Sequence, residues 1–395
     1  MNFDVSHHNL LKPVEENTTS YKSTLSSSLF SEPSVEGCHI LSLTNKAPKA
    51  APSEVANLSS HSVPTKKEVL RSIPTTAERI LDAPGLVDDY YLNLLDWSPS
   101  NILSVALGGT VYLWNATTSS IQELVSYADR TVTSVSWSPS SPQHIALGTS
   151  DHLIELWDAE KAEKVRTIAG HSGRVISLAW NKQLLSSGSF DTTIHNNDLR
   201  MTNPLLSTLS GHVGEVCGLK WSPDGAQLAS GGNDNMLKIW QLDLTTPRFS
   251  LDHHKAAVKA LAWCPFQASL LASGGGSADR TIKFWNTQTG SLLNSVDTES
   301  QVCAIQWSKT RKELVSSHGF SQNQLCVWKY PTMTKMAELT GHTQRVMHLA
   351  LSPDGTTVCS GSADETLRFW RVFESTIGMP RDAKSGSGIS KIRLK

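Results

Sequence analysis

GHVGEVCGLKWSPDGAQLASGGNDNMLKIWQ, residues 211–241, is the stretch whose reading decides the fold. Three short apolar runs, VCGLKW, QLAS and LKIW, are separated by the turn signals SPDG and GGNDN, so the segment reads as consecutive antiparallel strands. Its closing residue, Trp240, belongs to a series. Trp114, Trp157, Trp285, Trp328 and Trp370 end comparable runs (VYLWN, IELWD, IKFWN, LCVWK, LRFWR), and Asn197 in IHNND fills the remaining slot. Successive members stand 43, 40, 43, 45, 43 and 42 residues apart. A second series, Trp97, Trp137, Trp180, Trp221, Trp263, Trp307 and Leu351, precedes the first member by member. Five residues before each of these comes an apolar residue: Leu92, Val132, Val175, Val216, Val258, Val302 and Val346. Repeats of this length, rich in β-branched and aromatic residues and cut by Gly/Asp turns, predict an all-β chain folded as a seven-bladed β-propeller.

The rest of the chain of 395 residues fits that frame. Residues 1–75 hold few large apolar side chains, and ten of the seventeen residues in TTSYKSTLSSSLFSEPS (18–34) are Ser or Thr. Such a segment cannot bury a core, and it is expected to be a disordered tail. The blades are expected over 76–373. Closure requires the last blade to pair with the start of the chain, since an open sheet edge is a liability, and the strand-like ERILDA is the natural candidate. Residues 374–395, with five basic residues against two acidic ones and an SGSG run, are expected to form a flexible basic tail.

Lys plus Arg total 35 against 36 Asp plus Glu, a balance that argues against nucleic acid or a membrane surface as partner. No signal peptide and no apolar run long enough to span a bilayer is seen, so the chain is expected to be soluble and intracellular. Six cysteines at irregular spacing, without a C-x-x-C pair, predict buried thiols in place of disulfides, zinc or another metal, and no cofactor motif is found.

Ser, His and Asp recur together and raise the question of hydrolysis. Gly-His occurs at 170–171, 211–212 and 341–342, with His253-His254 in an equivalent slot. Asp151, Asp191, Asp234, Asp279 and Asp364 precede the closing position by six residues, and Ser187, Ser230 and Ser360 stand four before their Asp. A catalytic triad is built once, at one strained turn; a set repeated blade by blade is a structural hydrogen-bond relay, so no enzyme is expected. Function should lie on the rims. One rim carries Tyr91, Thr131, Arg174, Glu215, Ala257, Gln301 and Arg345, together with Asn233, Asn235 and Ser277 on neighbouring turns, and such a set suits an extended polar peptide. Asp96 is the one acid in its strand register, where the other repeats have Ser136, Ala179, Lys220, Ala262, Gln306 and Ala350. A carboxylate there could receive a ligand arginine.

The stretches ERILDAP, DDYYLNLLDWS, EVCGLKWSPDG, QLASGGNDN, AVKALAWCPFQ, HGFSQNQL, VWKYPTM and ADETLRFWRVF resemble the Fizzy/Fizzy-related family of WD40-repeat proteins. The resemblance covers residues 72–373. IHNND is nearer the Fizzy branch, while KALAWCPFQASLLASGGGSADR and TGHTQRV stand about equally near the Fizzy-related branch. It implies a coactivator and substrate receptor of the anaphase-promoting complex, a ubiquitin ligase, in nucleus and cytoplasm. The implied partners are the complex's subunits, degron-bearing cell-cycle proteins such as cyclins and securin-like substrates, and checkpoint inhibitors. A specialised, for example meiotic, role is compatible with it. By the resemblance, Asp96 and Glu365 form the acidic pair that holds the arginine of a destruction box (R-x-x-L). Asn233, Asn235, Ser277, Gln301 and Arg345 are by the same resemblance the residues that read a KEN degron.

Two places depart from the family pattern. The tail's Ile-Pro, Ile73-Pro74 in LRSIPTTAERILDAP, aligns with the family's second R-x-I-P segment and no recognisable C-box is found. The family's terminal Ile-Arg corresponds to Ile392-Arg393, here followed by Leu394-Lys395. By the resemblance, Ile73, Pro74, Ile392 and Arg393 are the residues that would dock on the ligase. The alternatives are a degron-binding decoy that does not activate the ligase and an unrelated WD-repeat scaffold.

Overall fold

The structure, a computed structural model, describes residues 71–374. The tail readings for 1–70 and 375–395, including those for Cys38, Ile392 and Arg393, lie outside the described residues. β1 (Arg79–Asp82) is followed by β2 (Leu95–Trp97), β3 (Ile102–Leu107), β4 (Thr110–Asn115) and β5 (Ile121–Ser126). Strands β2 to β5 form one four-stranded antiparallel meander, and five further blades repeat it in chain order. The seventh takes Val346–Leu351, Thr357–Ser362 and Thr366–Arg371 from the end of the chain and its outer strand from the beginning. β1 lies antiparallel on Thr366–Arg371 with Arg79 opposite Phe369 and Asp82 opposite Thr366. The seven-bladed propeller read from the repeat is thus observed, closed by the ERILDA strand.

The innermost strands ring a central channel, lined by Asn93, Asp96, Ser136, Ser177, Lys220, Lys259, Gln306 and His348 among others. Six of these strands carry a register shift just after their first residue, for instance between Val216 and Gly218, and this bulge adds twist where each strand leaves the rim. Between blades the core is apolar and tryptophan-rich, with Trp240, Trp285 and Trp370 fully buried.

The repeated Ser, His and Asp residues form the relay. In the fourth blade His212 Nδ1 meets Asp234 Oδ2 at 2.9 Å, its Nε2 meets Ser230 Oγ at 2.8 Å, and Trp240 Nε1 donates to the same oxygen at 2.8 Å. A carboxylate only accepts, so the ring holds its proton on Nδ1 and accepts the serine hydroxyl at Nε2. The same chain recurs through His254, Asp279, Ser273 and Trp285, and through His342, Asp364, Ser360 and Trp370. Gly232 is required beside it, because a Cβ there would lie 2.5 Å from Asp234 Oδ1 and 2.7 Å from His212 Nδ1. In the third blade Asn197 replaces the tryptophan and its Nδ2 is buried without a partner, while His195 stacks on His171 at 3.8 Å. In the second blade Arg130 takes the histidine's place, holding Asp151 at 2.6 Å and Glu155 at 3.1 Å.

Two consequences are measurable. His212→Ala takes from the buried Asp234 carboxylate and Ser230 hydroxyl the ring that joins them and should lower the urea-derived stability by about 1–3 kcal/mol. Burial also pulls His195 and His318 down to about 4, below the unfolded value of about 6.5. The unfolded chain therefore binds more protons, and the stability present above about pH 6.5 is lost progressively as the pH falls toward 4. Urea midpoints at about pH 7.5 and 5 should show a loss on the order of 1–2 kcal/mol per histidine, and His318→Gln should flatten that slope.

Candidate functional site

Residues 88–91, on the connection from β1 to β2, cross the mouth of the channel. Tyr90 is buried there, its hydroxyl within 3.3 Å of Val302 O and 3.4 Å of Ala257 O, and Lys259 Nζ sits 5.6 Å from its ring. Burial raises the Tyr90 hydroxyl well above its ordinary pKa and lowers Lys259 to about 8. The flanking residues grip the rim. Tyr91 Oη donates to Asn233 Oδ1 at 2.9 Å, Asp89 accepts from Arg174 at 2.9 Å, and Asp88 accepts from Arg345 Nε through its carboxylate and from Nη2 at 2.9 Å through its carbonyl.

Around this segment opens a depression of about 570 Å³. All five residues expected on this face line it: Asn233, Asn235, Ser277, Gln301 and Arg345. Each is held by a repeat turn. Asn233 and Asn235 sit on the turn joining Gln227–Gly232 to Leu237–Gln241, with Asn235 in the left-handed region (φ 64) that asparagine tolerates. Ser277 occupies the equivalent turn of the next blade and is exposed. Gln301 and Arg345 immediately precede innermost strands, and their carbonyls accept from Gly319 and Ala363 at 3.1 Å each. The face thus presents amides, a hydroxyl and one guanidinium around an aromatic floor, a surface that can hydrogen-bond both backbone and side chains of an extended peptide. The sequence did not reveal that Asp88 and Asp89 would hold the two arginines, because neither acid belongs to the repeat.

Asp96 and Glu365 do not flank one groove, which corrects the expectation for that pair. Asp96 is the middle residue of β2 and lies on the wall of the channel. Its carboxylate is used internally, Oδ2 accepting from Trp137 N at 2.7 Å and Oδ1 from Trp97 N at 3.0 Å. Enclosure raises its pKa, against the opposing pull of Lys220 and the two backbone N–H groups. Glu365 is instead on the rim, on the turn before Thr366–Arg371 at φ 59, exposed, with Oε1 accepting from Gly85 N at 3.1 Å and its carbonyl from Ala83 N at 2.7 Å.

The acid beside Glu365 is Asp82, exposed at the end of β1 and opposite Thr366. The signal was present in the expected closing strand: once ERILDA pairs with TLRFWR, its aspartate lands at the turn that carries Glu365. Three residues back along β1, about 10 Å away, Arg79 stands over the Trp114 ring at 5.2 Å. There Trp97, Trp114 and Phe369 line a depression of about 420 Å³ in the seam between the first and last blades, Trp114 and Phe369 4.9 Å apart.

Ile73 is partly buried, packing against the core shared by the last two blades, which includes Val372 and Phe373, and Arg71 forms a 2.6 Å ion pair with the buried Glu313. This segment is bound to the propeller; Pro74 beside it is exposed. The five described cysteines are buried and unpaired.

The sequence profile of the CDC20/Fizzy WD40 domain matches residues 81–370. The chain is 56% identical over 390 residues to the anaphase-promoting complex subunit cdc20 of Dictyostelium discoideum, covering 94% of this chain and 78% of that one. It is 50% identical to cell division cycle 20.1, cofactor of APC complex, of Arabidopsis thaliana, covering 98% and 87% respectively, and 53% identical to FIZZY-RELATED 2 of the same plant, covering 83% and 68%. A chain in the crystal structure of a mitotic checkpoint complex superposes with a TM-score of 0.74 at 47% identity, over 77% of this chain and 98% of that chain. The chain belongs to the CDC20/Fizzy family of WD40 propellers.

Proposed function

We propose that this propeller is a substrate-reading cofactor of the anaphase-promoting complex, presenting degron-bearing cell-cycle proteins for ubiquitination in nucleus and cytoplasm and meeting checkpoint inhibitors on the same surfaces. It acts as an adaptor and carries out no chemistry of its own, since its Ser–His–Asp sets are consumed as blade supports. The observation that carries the reading is the seam between the first and last blades. Asp82 and Glu365 form an exposed acidic corner, and an aromatic pocket opens about 10 Å along β1. In an extended R-x-x-L peptide the arginine and leucine are three residues apart, which is the same span. The two carboxylates suit the planar fork of a guanidinium better than a lysine ammonium. Trp97, Trp114 and Phe369 give the leucine an aromatic wall in a depression also lined by Glu78, Arg79, Asn101 and Asp354, so its partial burial contributes less than the about 1.5–3 kcal/mol of full burial. The sum is a weak, reversible site, as a receptor that must release its products requires.

Calorimetry with an R-x-x-L peptide tests this assignment. Asp82→Ala with Glu365→Ala should weaken binding by a factor of about 10–100, from the loss of charge-assisted bonds worth about 1.5–3 kcal/mol. Asp96→Asn should leave it unchanged; the reverse pattern would return the site to the channel wall.

The rim depression is the second reading surface, for a KEN peptide. Arg345→Ala, or Asn233→Ala together with Asn235→Ala, should weaken a KEN peptide at least about tenfold while R-x-x-L binding is retained. Unchanged KEN affinity in a folded variant would move that site elsewhere.

The partial burial of Ile73 against the propeller favours a second reading, a degron-binding decoy, because part of that side chain is spent on internal packing. Ubiquitination of a destruction-box substrate by purified ligase, with and without this chain, separates the two: a cofactor raises the rate and a decoy lowers it.

A further inference from the structure

The rim of the channel carries two arginines in equivalent positions, and the chain treats them differently. Arg174 is gripped by two carboxylates, Asp89 at 2.9 Å and Glu215 at 3.2 Å, whose side chains are 26% and 5% exposed. It is neutralised and held. Arg345 meets one carboxylate among the described residues, Asp88, and that side chain is 46% exposed. The contact engages Nε, a backbone carbonyl takes Nη2, and no acceptor among the described residues takes Nη1. Gly319 makes room for the Gln301 amide next to Arg345: a Cβ there would lie 2.8 Å from Gln301 Oε1.

We infer that Asp88 is a displaceable internal competitor for Arg345, and that it sets the specificity of the rim site for a peptide carrying a carboxylate next to a cationic side chain. This rests on the reading of the rim as a peptide-binding face. An empty site keeps the guanidinium paired with Asp88. An arriving acidic side chain takes over Arg345, and one carboxylate replaces another without leaving the arginine unpaired at any stage. Asp88, swung outward, is then an unpaired carboxylate at the edge of the site, where a neighbouring lysine or arginine of the ligand neutralises it. A peptide with an acid but no base would strand Asp88, and one with a base but no acid would not release it. The backbone carbonyl of Asp88 stays on Nη2 throughout, so the arginine keeps its aim. Arg174, held by two acids, cannot exchange in this way.

Asp88→Asn is isosteric and removes the competing charge. In calorimetry with a peptide containing Ala-Glu-Asn, which would strand Asp88, it should tighten binding about fivefold, the scale of a partly exposed ion pair. With Lys-Glu-Asn the lost Asp88–Arg345 pair of the free protein and the lost Asp88–lysine pair of the complex offset each other, so affinity should change by less than about twofold; in an Arg345→Ala background the gain for Ala-Glu-Asn should be lost. If Arg345→Ala weakens the Ala-Glu-Asn peptide but Asp88→Asn leaves it unchanged or weaker, Asp88 is not a competitor and the inference falls while the face reading stands. Equal tightening of both peptides would mean general electrostatics and would also overturn it. If neither Arg345→Ala nor the Glu-to-Gln change in the peptide alters affinity, the peptide does not bind on Arg345 and the face reading itself fails.

Discussion

Ring closure is the constraint on which the rest of this molecule depends. A propeller must hide the outer edge of its last blade, and here four residues at the start of the described chain do it. That pairing carries three further results. It sets Asp82 beside Glu365, because the antiparallel register puts Asp82 opposite Thr366. It sets Phe369 edge-on to Trp97 and tilted against Trp114, making the blade seam aromatic. It also starts the connection to β2 at the rim, so that residues 88–91 must cross the channel mouth, where Tyr90 becomes a plug and its neighbours meet the two arginines. Both candidate recognition surfaces are by-products of the same closure.

The blades themselves rest on a buried polar relay that tolerates replacement. Where Trp, Ser, His and Asp are all present, every buried donor finds an acceptor and the turn is tied to the preceding loop. The second blade fills the same place with Arg130, Glu155 and Tyr127, exchanging a histidine–carboxylate relay for an arginine–carboxylate one. The third keeps the histidine and aspartate but loses the tryptophan, and a second histidine stacks where apolar packing would otherwise be needed. Consumption of the Ser–His–Asp sets in this way explains why a protein with so many apparent triads offers recognition rather than turnover: each nucleophile candidate lies buried beneath a turn with both hydrogen-bonding directions already used.

The two candidate surfaces differ in physical character. The rim is a polar surface with its charges prepaired. The seam combines an exposed acidic corner with a depression of mixed aromatic and polar lining. A linear peptide engaging either surface orders few protein side chains, since the rim residues are anchored by their own turns and the seam aromatics by one another.

Much of this was legible in one dimension. The forty-residue spacing of Trp114 through Trp370 dictates seven blades, because hydrophobic periodicity and turn residues act locally. The rim set Asn233, Asn235, Ser277, Gln301 and Arg345 follows from the same register, since residues at equal positions in a repeat stand at equal heights in a ring. Asp96 shows where that logic ends. Its oddity in the register is real, but register gives height and not partners, and its height put it on the channel wall against Trp137 N. The partner of Glu365, the grip of Asp88 on Arg345 and the internal use of Ile73 all join residues more than 200 positions apart through segments that do not repeat. Sequence periodicity determined the ring and the height of each residue in it; tertiary closure alone decided which charges meet, because the segments that bring them together lie outside the repeat.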